Sequence, residues 1–273
     1  MSKRIKESLK ETVQKLKNEG IMPRLAVIIV EGDPASRVYV DGKKRDCEEI
    51  GIYSEEYALP RETSEEQILE IIEVLNGRED VNGILVQLPL PEHINEEKVI
   101  YAIDPAKDVD AFHPVNVGKI MIGNYDFVPC TPGGVMELIR ESGISIEGRD
   151  CVVVGRSNIV GKPQAMMLLH SNATVTVCHS KTHDLASKTK NADILVAAVG
   201  RANFITADMV KEGAVVIDVG MNRADGKLCG DVDFEGVSKV AGFITPVPGG
   251  VGLMTRAMLM KNTVRACKIQ KNA

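Results

Sequence analysis

The stretch VVGRSNIVGKP, residues 153–163, decides the fold of this chain. An apolar run, residues 151–154, leads into it, and a segment of helix-forming residues, 163–170, follows it. A strand, a turn of small residues and a helix start form a cradle for a phosphate group, because the helix dipole and its first backbone N–H groups point at an anion. The stretch therefore predicts the nucleotide-binding turn of an α/β domain.

The glycine pattern of this turn is close to the dinucleotide-binding fingerprint G-x-G-x-x-G but does not match it fully. Gly155 stands at the first position, Ser157 replaces the second glycine, and the last glycine, Gly161, is shifted by one residue. The pattern alone leaves two interpretations open. One is a dinucleotide site, and the other is an ordinary strand–helix turn with a glycine cap.

The end of the next strand bears on which dinucleotide would bind. It has the sequence CHSKT, residues 178–182, where NAD-binding domains tend to carry an acidic residue for the ribose hydroxyls. This chain has hydroxyls and a cation there, and Arg156 adds another cation in the turn. Such groups suit a 2′-phosphate, which favours NADP over NAD as the cofactor. The alternative is that Lys181 and Arg156 are solvated surface charges.

Strands and helices alternate on both sides of the turn. We predict strands at residues 24–30, 55–59, 83–88, 150–154, 174–178, 194–198, 215–219 and 241–245, and helices at 3–18, 36–50, 64–75, 134–141, 163–170 and 251–269. Ser64 and Gln67 have the spacing of a capping box at a helix start. The later strands are nearly continuous apolar runs, as expected when helices cover both faces of a parallel sheet.

This alternation predicts the fold class α/β with two domains. We expect a Rossmann-like parallel-sheet domain at residues 126–251. The other domain is an α/β domain at residues 1–125, completed by the C-terminal helix, residues 252–273. A cleft between two such domains is the usual place where a substrate meets a cofactor.

Composition excludes several classes of protein. The chain has 273 residues, of which 44% are hydrophobic and 26% charged, as in ordinary globular proteins. It has no apolar run of about 18 residues, so no membrane span is expected. Its net charge of −5 argues against binding to nucleic acid. Residues 1–20 are charged and lack the apolar core of a signal peptide, which predicts a cytoplasmic location.

The cysteines are scattered and form no C-x-x-C pair: Cys47, Cys130, Cys151, Cys178, Cys229 and Cys267. In a cytoplasmic chain we expect them to be reduced and mostly buried. Cys178 and His179 with His183 raise the alternative of a metal site. We favour a strand end followed by a loop and predict no metal.

Three segments of the first domain carry groups suited to catalysis. Tyr39 and Lys43 are four residues apart on a predicted helix and share one face, which Cys47 continues. Gln87 ends an apolar strand, and the loop KDVDAFHP, residues 107–114, carries two carboxylates. A lysine desolvated in a cleft has a lowered pKa and can move protons near neutral pH. The alternatives are a charged helix face, a core amide and a simple turn.

Together these segments resemble the bifunctional methylenetetrahydrofolate dehydrogenase/cyclohydrolase family, in the order in which that family has them. The segments that carry the resemblance are YVDGK (39–43) with Cys47 and GI (51–52), GILVQLPLP (83–91), KDVD (107–110), PCTPGG (129–134), GRSNIVGKP (155–163), CHSKT (178–182) and PVPGGVG (246–252). They extend over nearly the whole chain.

The resemblance implies a homodimeric enzyme of one-carbon metabolism, linked to purine biosynthesis, with a catalytic folate-binding domain and an NADP-binding domain. Its first reaction would oxidise 5,10-methylenetetrahydrofolate to 5,10-methenyltetrahydrofolate with NADP. Its second would hydrolyse the methenyl cation to 10-formyltetrahydrofolate. A hydride loss that leaves a delocalised cation mainly needs two rings to be positioned, whereas hydrolysis needs a proton acceptor.

The resemblance also implies roles for single residues. Tyr39 would stack along the folate, Lys43 would handle the proton in hydrolysis, and Gln87 would hydrogen-bond Lys43 and tune it. Asp110 would hold the pterin ring. The remaining implied substrate contacts are Leu88, Pro89, Pro248, Gly249 and Gly250. The implied cofactor contacts are Gly155, Arg156, Ser157, Val160, Gly161, Ser180 and Thr182, with Arg156 and Ser180 on the 2′-phosphate.

Two positions depart from the family pattern. Leu253 stands where the family has proline, which we expect to loosen the preceding turn, and Ala111 stands where glycine is frequent. Three alternatives remain: a dehydrogenase without the cyclohydrolase, a silent NADP-binding sensor, and a dehydrogenase acting on a small carbon acid. Lys43 with Gln87 favours the enzyme with both activities.

Overall fold

The computed structural model describes residues 1–32, 34–224 and 226–272. The chain divides into two compact units. The terminal unit contains Ser2–Cys130 and the chain from Arg256 onward, and the middle unit contains Thr131–Thr255. These divisions lie within a few residues of the domain limits that the sequence suggests.

The terminal unit is built on a parallel sheet with the strand order β2-β1-β3. Its strands are β1 (Arg24–Val30), β2 (Tyr53–Leu59) and β3 (Gly83–Val86), and its helices are α1 (Ser2–Asn18), α2 (Pro34–Ile50), α3 (Glu65–Gly77), α4 (Glu96–Ala102) and α5 (Pro114–Met121). The central strand β1 is buried from Leu25 to Val30, which explains its continuous apolar sequence.

Local capping explains where several of these helices begin. Ser64 and Gln67 form the capping box at the start of α3, so that prediction is confirmed. The helices α4 and α5 were not predicted. Asn95 caps the first, and His113, followed by Pro114, caps the second. Both helices are too short to show a clear apolar period, so their caps were the available signal.

The middle unit carries a parallel sheet of five strands with the order β10-β7-β6-β4-β5. Its elements in chain order are α6 (Cys130–Glu141), β4 (Asp150–Val154), α7 (Gly161–Leu169), β5 (Thr174–Cys178), α8 (Leu185–Thr189), β6 (Ile194–Ala197), β7 (Val215–Asp218), β8 (Asn222–Ala224), β9 (Lys227–Cys229), α9 (Phe234–Val237) and β10 (Phe243–Ile244). The five predicted strands are confirmed. The short hairpin of β8 and β9 was not predicted.

The strand order of this sheet creates a crevice beside the nucleotide-binding turn. The chain passes from β4 to β5 on one side and then returns to β6 on the other side of β4. Ligands of open α/β sheets bind at such a reversal, outside the carboxyl ends of the strands. The turn at residues 155–160 follows β4 directly, so it lies at this reversal.

The last helix, α10 (Val251–Lys271), extends from the middle unit into the terminal unit. Lys261, Arg265 and Lys268 are exposed on one face, and most of the remaining surface of the helix is buried. Asn262 donates to the carbonyls of Val109 and Val128, both at 2.8 Å. These bonds fix the C-terminal helix to the segments before and after α5. Among the described helices, none is both long enough and apolar enough to cross a membrane.

Candidate active site

One face of α2 carries most of the candidate groups of the terminal unit. Tyr39, Gly42, Lys43 and Asp46 follow the helical spacing of three and four residues, so their side chains lie on the same face. Lys43 retains 9% of its exposed surface and Asp46 retains 5%. Two charged groups are therefore buried side by side on one helix face. Such burial is costly unless each group has polar partners.

Gln87 supplies the polar partner of Lys43. The ammonium or amine nitrogen Nζ of Lys43 donates to Oε1 of Gln87 at 2.8 Å. The amide nitrogen of Gln87 donates in turn to the carbonyl of Leu88 at 2.6 Å. Its backbone N–H donates to Ile28 on β1 at 2.8 Å, so the sheet fixes the residue. These two bonds hold Gln87 in place, with its amide oxygen directed at Lys43.

Burial lowers the pKa of Lys43 from its ordinary value. The negative charge of Asp110 opposes this shift, and the cation of Arg256 makes a smaller contribution in the same direction as burial. The lysine is therefore held closer to its neutral form than a surface lysine. A neutral amine has a free lone pair and can accept a proton.

The loop at residues 107–110 carries three ionisable side chains. Lys107 and Asp108 hold the local structure, and Asp110 is a candidate for the active site. Lys107 donates to the backbone carbonyls of Leu75, Asn76 and Arg78 and so closes the end of α3. Asp108 accepts bonds from the backbone of His113 and the side chain of Asn116, both at 2.8 Å. Asp110 is the carboxylate of this loop that interacts with Lys43 and Cys130.

The two buried thiols of this site are held in their protonated form. Burial raises the pKa of Cys47 to about 12, and its sulfur lies 3.4 Å from the sulfur of Met260. Burial also raises the pKa of Cys130, beside the negative charge of Asp110. A thiol, unlike a thiolate, is a poor nucleophile. These cysteines therefore pack the site as neutral thiols.

The structure adds Arg256, which the sequence analysis missed. Its Nε lies 3.1 Å from a carboxylate oxygen of Asp46. A Cβ atom built on Gly42 would stand 2.0 Å from Nη1 of Arg256. The local signal for this contact is a glycine inside a helix, where it is a poor helix former. A glycine at this position indicates that another group approaches α2 closely, but it does not identify that group.

In the middle unit, two glycines shape the turn after β4. Gly155 has a φ of +135°, and an added Cβ would lie 2.2 Å from the carbonyl oxygen of Ala198. An added Cβ on Gly161 would lie 2.2 Å from the carbonyl oxygen of Gly155. Both positions therefore require glycine. These contacts fix the path of the turn, and the exposed residues 156–159 between the two glycines are the part that a dinucleotide phosphate can reach, so the residues present fit NADP.

Ser157 organises this turn differently from the expectation. Its hydroxyl accepts the N–H groups of Val160 and Gly161 at 3.2 and 3.3 Å, and its carbonyl accepts that of Lys162 at 3.1 Å. The first N–H groups of α7 are thus satisfied within the turn and do not point freely at an anion. The helix dipole and the exposed residues 156–159 remain available to a phosphate.

Asp231 fixes the loop that faces Gly155. Its carboxylate is fully buried and accepts three consecutive backbone N–H groups, those of Val199, Gly200 and Arg201, at 2.6 to 3.0 Å. Asp218 accepts the backbone N–H groups of Asp231 and Val232 in the same way. Burial raises the pKa of Asp218 to about 6. The two buried carboxylates therefore fix the backbone of the loop that follows β6, next to the turn after β4.

The turn after β5 lies beside the turn after β4, because Gly155 donates its N–H to the carbonyl of Cys178 at 2.8 Å. Thr182 closes this turn: its hydroxyl accepts the N–H of His179 at 2.8 Å. Arg156 and Ser180 are both exposed, one in each turn.

Among the described residues, no group of three or more His, Cys, Asp or Glu side chains is arranged to hold a metal.

The segment PVPGGVG requires glycine for two different reasons. Gly249 has a φ of +110°, and an added Cβ on Gly250 would lie 2.6 Å from the carbonyl of Pro246. The peptide bonds before Pro248 and before Pro89 are both cis. The structure corrects the expectation for Leu253. This residue lies in the first turn of α10, and its N–H donates to Gly250, a bond that proline could not make.

Ala111 occupies a position that favours glycine. Its φ is +57°, and the residue is fully buried directly after Asp110. The left-handed conformation costs an L-residue about 1–2 kcal/mol. Glycine, which is frequent at this position in the resembled family, would avoid this cost. Here the surrounding packing holds the alanine in the left-handed conformation.

Comparisons with known proteins agree over the full chain. Residues 1–110 match the family model described as tetrahydrofolate dehydrogenase/cyclohydrolase, catalytic domain, and residues 129–271 match that of its NAD(P)-binding domain. The "Bifunctional protein FolD" of Acetivibrio thermocellus is 66% identical over 271 residues, which is 99% of this chain and 95% of the relative.

Solved structures show the same similarity. The bifunctional FolD of Campylobacter jejuni is 52% identical with a TM-score of 0.96, covering 98% of this chain and 96% of that one. The Trypanosoma brucei enzyme, solved with NADP cofactor and inhibitor, is 40% identical with a TM-score of 0.95, covering 100% and 96%.

Replacing Gly161 with alanine tests the geometry of the turn. We expect the dissociation constant of NADP to rise at least about tenfold, or about 1.4 kcal/mol, because the new Cβ meets backbone and the turn must shift. Titration of the protein with NADP in a calorimeter measures this. Gly118→Ala on α5 is the control, since no heavy atom lies within 4 Å of its Cβ. Unchanged NADP affinity in Gly161→Ala would contradict the assignment of this turn.

Proposed function

This chain belongs to the tetrahydrofolate dehydrogenase/cyclohydrolase family, and from that premise we propose how its residues divide the two reactions. It is a bifunctional enzyme that oxidises 5,10-methylenetetrahydrofolate to 5,10-methenyltetrahydrofolate with NADP and hydrolyses the product to 10-formyltetrahydrofolate. The observation that carries the assignment of residues is the hydrogen bond of 2.8 Å that joins the buried Lys43 to Gln87.

The oxidation mainly requires that the substrate be held in position. NADP, when bound, supplies an acceptor for one hydride ion from the methylene bridge of the substrate. Tyr39 would stack along the folate, and Asp110 would accept hydrogen bonds from the pterin ring. Leu88 and Pro89, which follow Gln87, would line the same site, and the turn Pro248–Gly250 would close on the folate. Holding two reactants in one geometry can supply several kcal/mol of the rate enhancement.

The hydrolysis requires a base, and Lys43 is the group suited to that role. Water attacks the one-carbon bridge of the methenyl cation, and a C–O bond forms while one water proton passes to the Lys43 amine. The remaining hydroxyl proton moves to N5 as the bond from carbon to N5 breaks and the formyl C=O bond forms. Lys43 then releases its proton to solvent. One water is consumed and one proton is produced.

The neutral state of Lys43 serves this reaction in a further way. The substrate of the hydrolysis carries a positive charge, and an ammonium group beside it would repel it. Burial of Lys43 disfavours that ammonium form, while Gln87 orients the nitrogen by accepting one of its hydrogens. The burial and the hydrogen bond therefore favour both binding of the cation and transfer of the proton.

Lys43→Met separates proton transfer from cofactor binding. We expect the cyclohydrolase rate to fall by about a hundredfold or more, because a positioned general base contributes at least that much. The affinity for NADP should not change. The assay follows reduced nucleotide and methenyl absorbance separately in the presence of methylenetetrahydrofolate and NADP. Lys44→Met is the control, because Lys44 is the exposed neighbour on the same helix. Full cyclohydrolase activity in Lys43→Met would rule out the proposed role.

The NADP contacts are proposed from the two turns of the middle unit. Gly155, Ser157, Val160 and Gly161 would surround the pyrophosphate. Arg156, Ser180 and Thr182 would face the adenosine ribose, with Arg156 and Ser180 on its 2′-phosphate. The bond from Gly155 to Cys178 supports this, because it brings the turns that carry these groups side by side.

Arg156→Ala tests the 2′-phosphate contact. We expect the KM for NADP to rise about tenfold or more and the KM for NAD to stay within twofold. A charge-assisted hydrogen bond is worth about 1.5–3 kcal/mol, and NAD lacks the phosphate. Steady-state rates with each nucleotide measure this. Arg149→Ala is the control, since Arg149 is exposed at the amino end of β4 and Arg156 follows its carboxyl end. An equal rise in KM for NADP and for NAD would contradict the proposed contact between Arg156 and the 2′-phosphate.

The state of assembly and the location are proposed together with this function. We infer a homodimer that pairs through β5, because β5 is the outer strand of its sheet and Val177 on it is 39% exposed. The six cysteines are free thiols, which supports a reducing cytoplasmic compartment. There the 10-formyltetrahydrofolate would supply purine biosynthesis.

Val177→Lys tests the proposed dimer. A lysine on an outer strand blocks edge pairing, so we expect the solution mass to fall from that of two chains to that of one. Light scattering after size-exclusion chromatography measures the mass. Met22→Lys changes an equally exposed apolar residue of the terminal unit and should leave the mass unchanged. A parent protein with the mass of one chain would contradict the dimer, and a dimeric Val177→Lys would contradict pairing through β5.

A further inference from the structure

A second cation lies on the face of α2 that carries Lys43. Arg256 is on α10, and its side chain is 22% exposed. Its Nε pairs with Asp46 at 3.1 Å, and its Nη1 occupies the space beside Gly42. Gly42 directly precedes Lys43, and Asp46 lies one helical turn after Gly42. The guanidinium therefore extends along α2 next to the proposed base.

Gly42 makes room for this guanidinium. A Cβ atom at residue 42 would stand 2.0 Å from Nη1 and 3.2 Å from the guanidinium carbon. Glycine inside a helix costs about 1 kcal/mol relative to alanine. The φ of Gly42 is not among the positive values of the chain, so the backbone does not require glycine there. The requirement comes from the approach of Arg256 alone.

Asp46 anchors the guanidinium from below. Its carboxylate accepts Arg256 on one oxygen and Lys6 of α1 on the other, each at 3.1 Å. Lys6 also pairs with Glu49 on α2. The carboxylate is thus shared between two helices packed on α2. The guanidinium of Arg256 is thus a cation held in one place beside α2.

We propose that Arg256 is a positioning residue for the cyclohydrolase reaction: held over Gly42 by Asp46, its positive charge adds to the burial that favours a neutral amine at the neighbouring Lys43. This inference rests on the proposed role of Lys43 as the base. Arg256 need not touch the substrate for this effect. It acts through the field at the lysine nitrogen, which is screened less than in bulk water because Lys43 is buried.

The groups around Lys43 act in opposite directions. Asp110 in the loop before α5 favours the ammonium form. The carboxylate of Asp46 on α2 also carries a negative charge, which its pairs with Lys6 and Arg256 offset. The thiols Cys130 of α6 and Cys47 of α2 are protonated and carry no charge. Arg256 of α10 opposes it. Gln87 after β3 accepts a hydrogen bond and is neutral. Tyr39 on α2 is neutral too, because burial raises its pKa. Asp110 thus pulls the base towards its charged form, and Arg256 counters that pull.

The test is the pH dependence of hydrolysis with methenyltetrahydrofolate supplied directly and the uncatalysed rate subtracted. In Arg256→Met the rising limb of kcat/KM should move to higher pH by about one unit, which is a tenfold lower rate on that limb. The plateau above the limb should be retained. Arg256→Lys keeps a cation and should restore most of the shift. Arg265→Met, an exposed arginine of α10, should reproduce the parent profile.

Gly42→Ala provides an independent variant that keeps every charge. The new Cβ displaces the guanidinium, so the limb should move in the same direction as in Arg256→Met, although by less. Alanine is the better helix former, which favours folding of this variant. Thermal unfolding of each variant verifies that it is folded.

Profiles of Arg256→Met and Gly42→Ala that superimpose on that of the parent would overturn the inference. So would a limb that moves to lower pH, or a loss of rate that is uniform over pH, which would indicate a purely structural role or a substrate contact. If Arg256→Met does not fold, Gly42→Ala decides. Failure of the proposed function is distinguishable, because it would show as retained hydrolysis in Lys43→Met whatever the Arg256 variants do.

Discussion

The site of the terminal unit depends on the burial of one amine. Lys43 lies almost entirely out of solvent, and a bare ammonium in such a place would be very unfavourable. The hydrogen bond to Gln87 and the shift towards a neutral amine reduce that cost. The sheet holds Gln87 through Ile28, and α2 holds Lys43. The packing that buries the lysine therefore also favours the neutral amine form that the proposed reaction needs.

The middle unit depends on a different constraint, the close approach of bare backbone. Gly155 and Gly161 sit where any side chain would meet a carbonyl oxygen. Asp231 then fixes the facing loop by taking three of its N–H groups, so the crevice has rigid walls on both sides. Such rigidity suits a cofactor that must be held in one orientation. In the terminal unit the packing changes the protonation of one lysine, whereas in the middle unit it fixes the path of the backbone.

Most of the strands and helices and part of the candidate site could be predicted from the sequence, because the patterns that indicate them lie within short segments. The strands of both sheets are apolar runs, the capping box of Ser64 marks a helix start, and the glycines of residues 155–161 mark the turn. The stripe of Tyr39 and Lys43 follows from helical spacing alone. The short helices α4 and α5 escaped prediction because they are too short for a periodic pattern. The exposed hairpin of β8 and β9 escaped it for the same reason.

The sequence by itself determined which chemistry is present: a lysine on a helix face, an amide at a strand end, and a turn suited to a phosphate. Tertiary structure decided which groups act on one another. It distinguished Asp110, which interacts with Lys43, from Asp108, which holds its own loop. It also brought Arg256 against Gly42 across more than 200 residues of chain. Spacing along a chain encodes contacts within one helix or turn, but contacts between distant segments depend on how their surfaces pack.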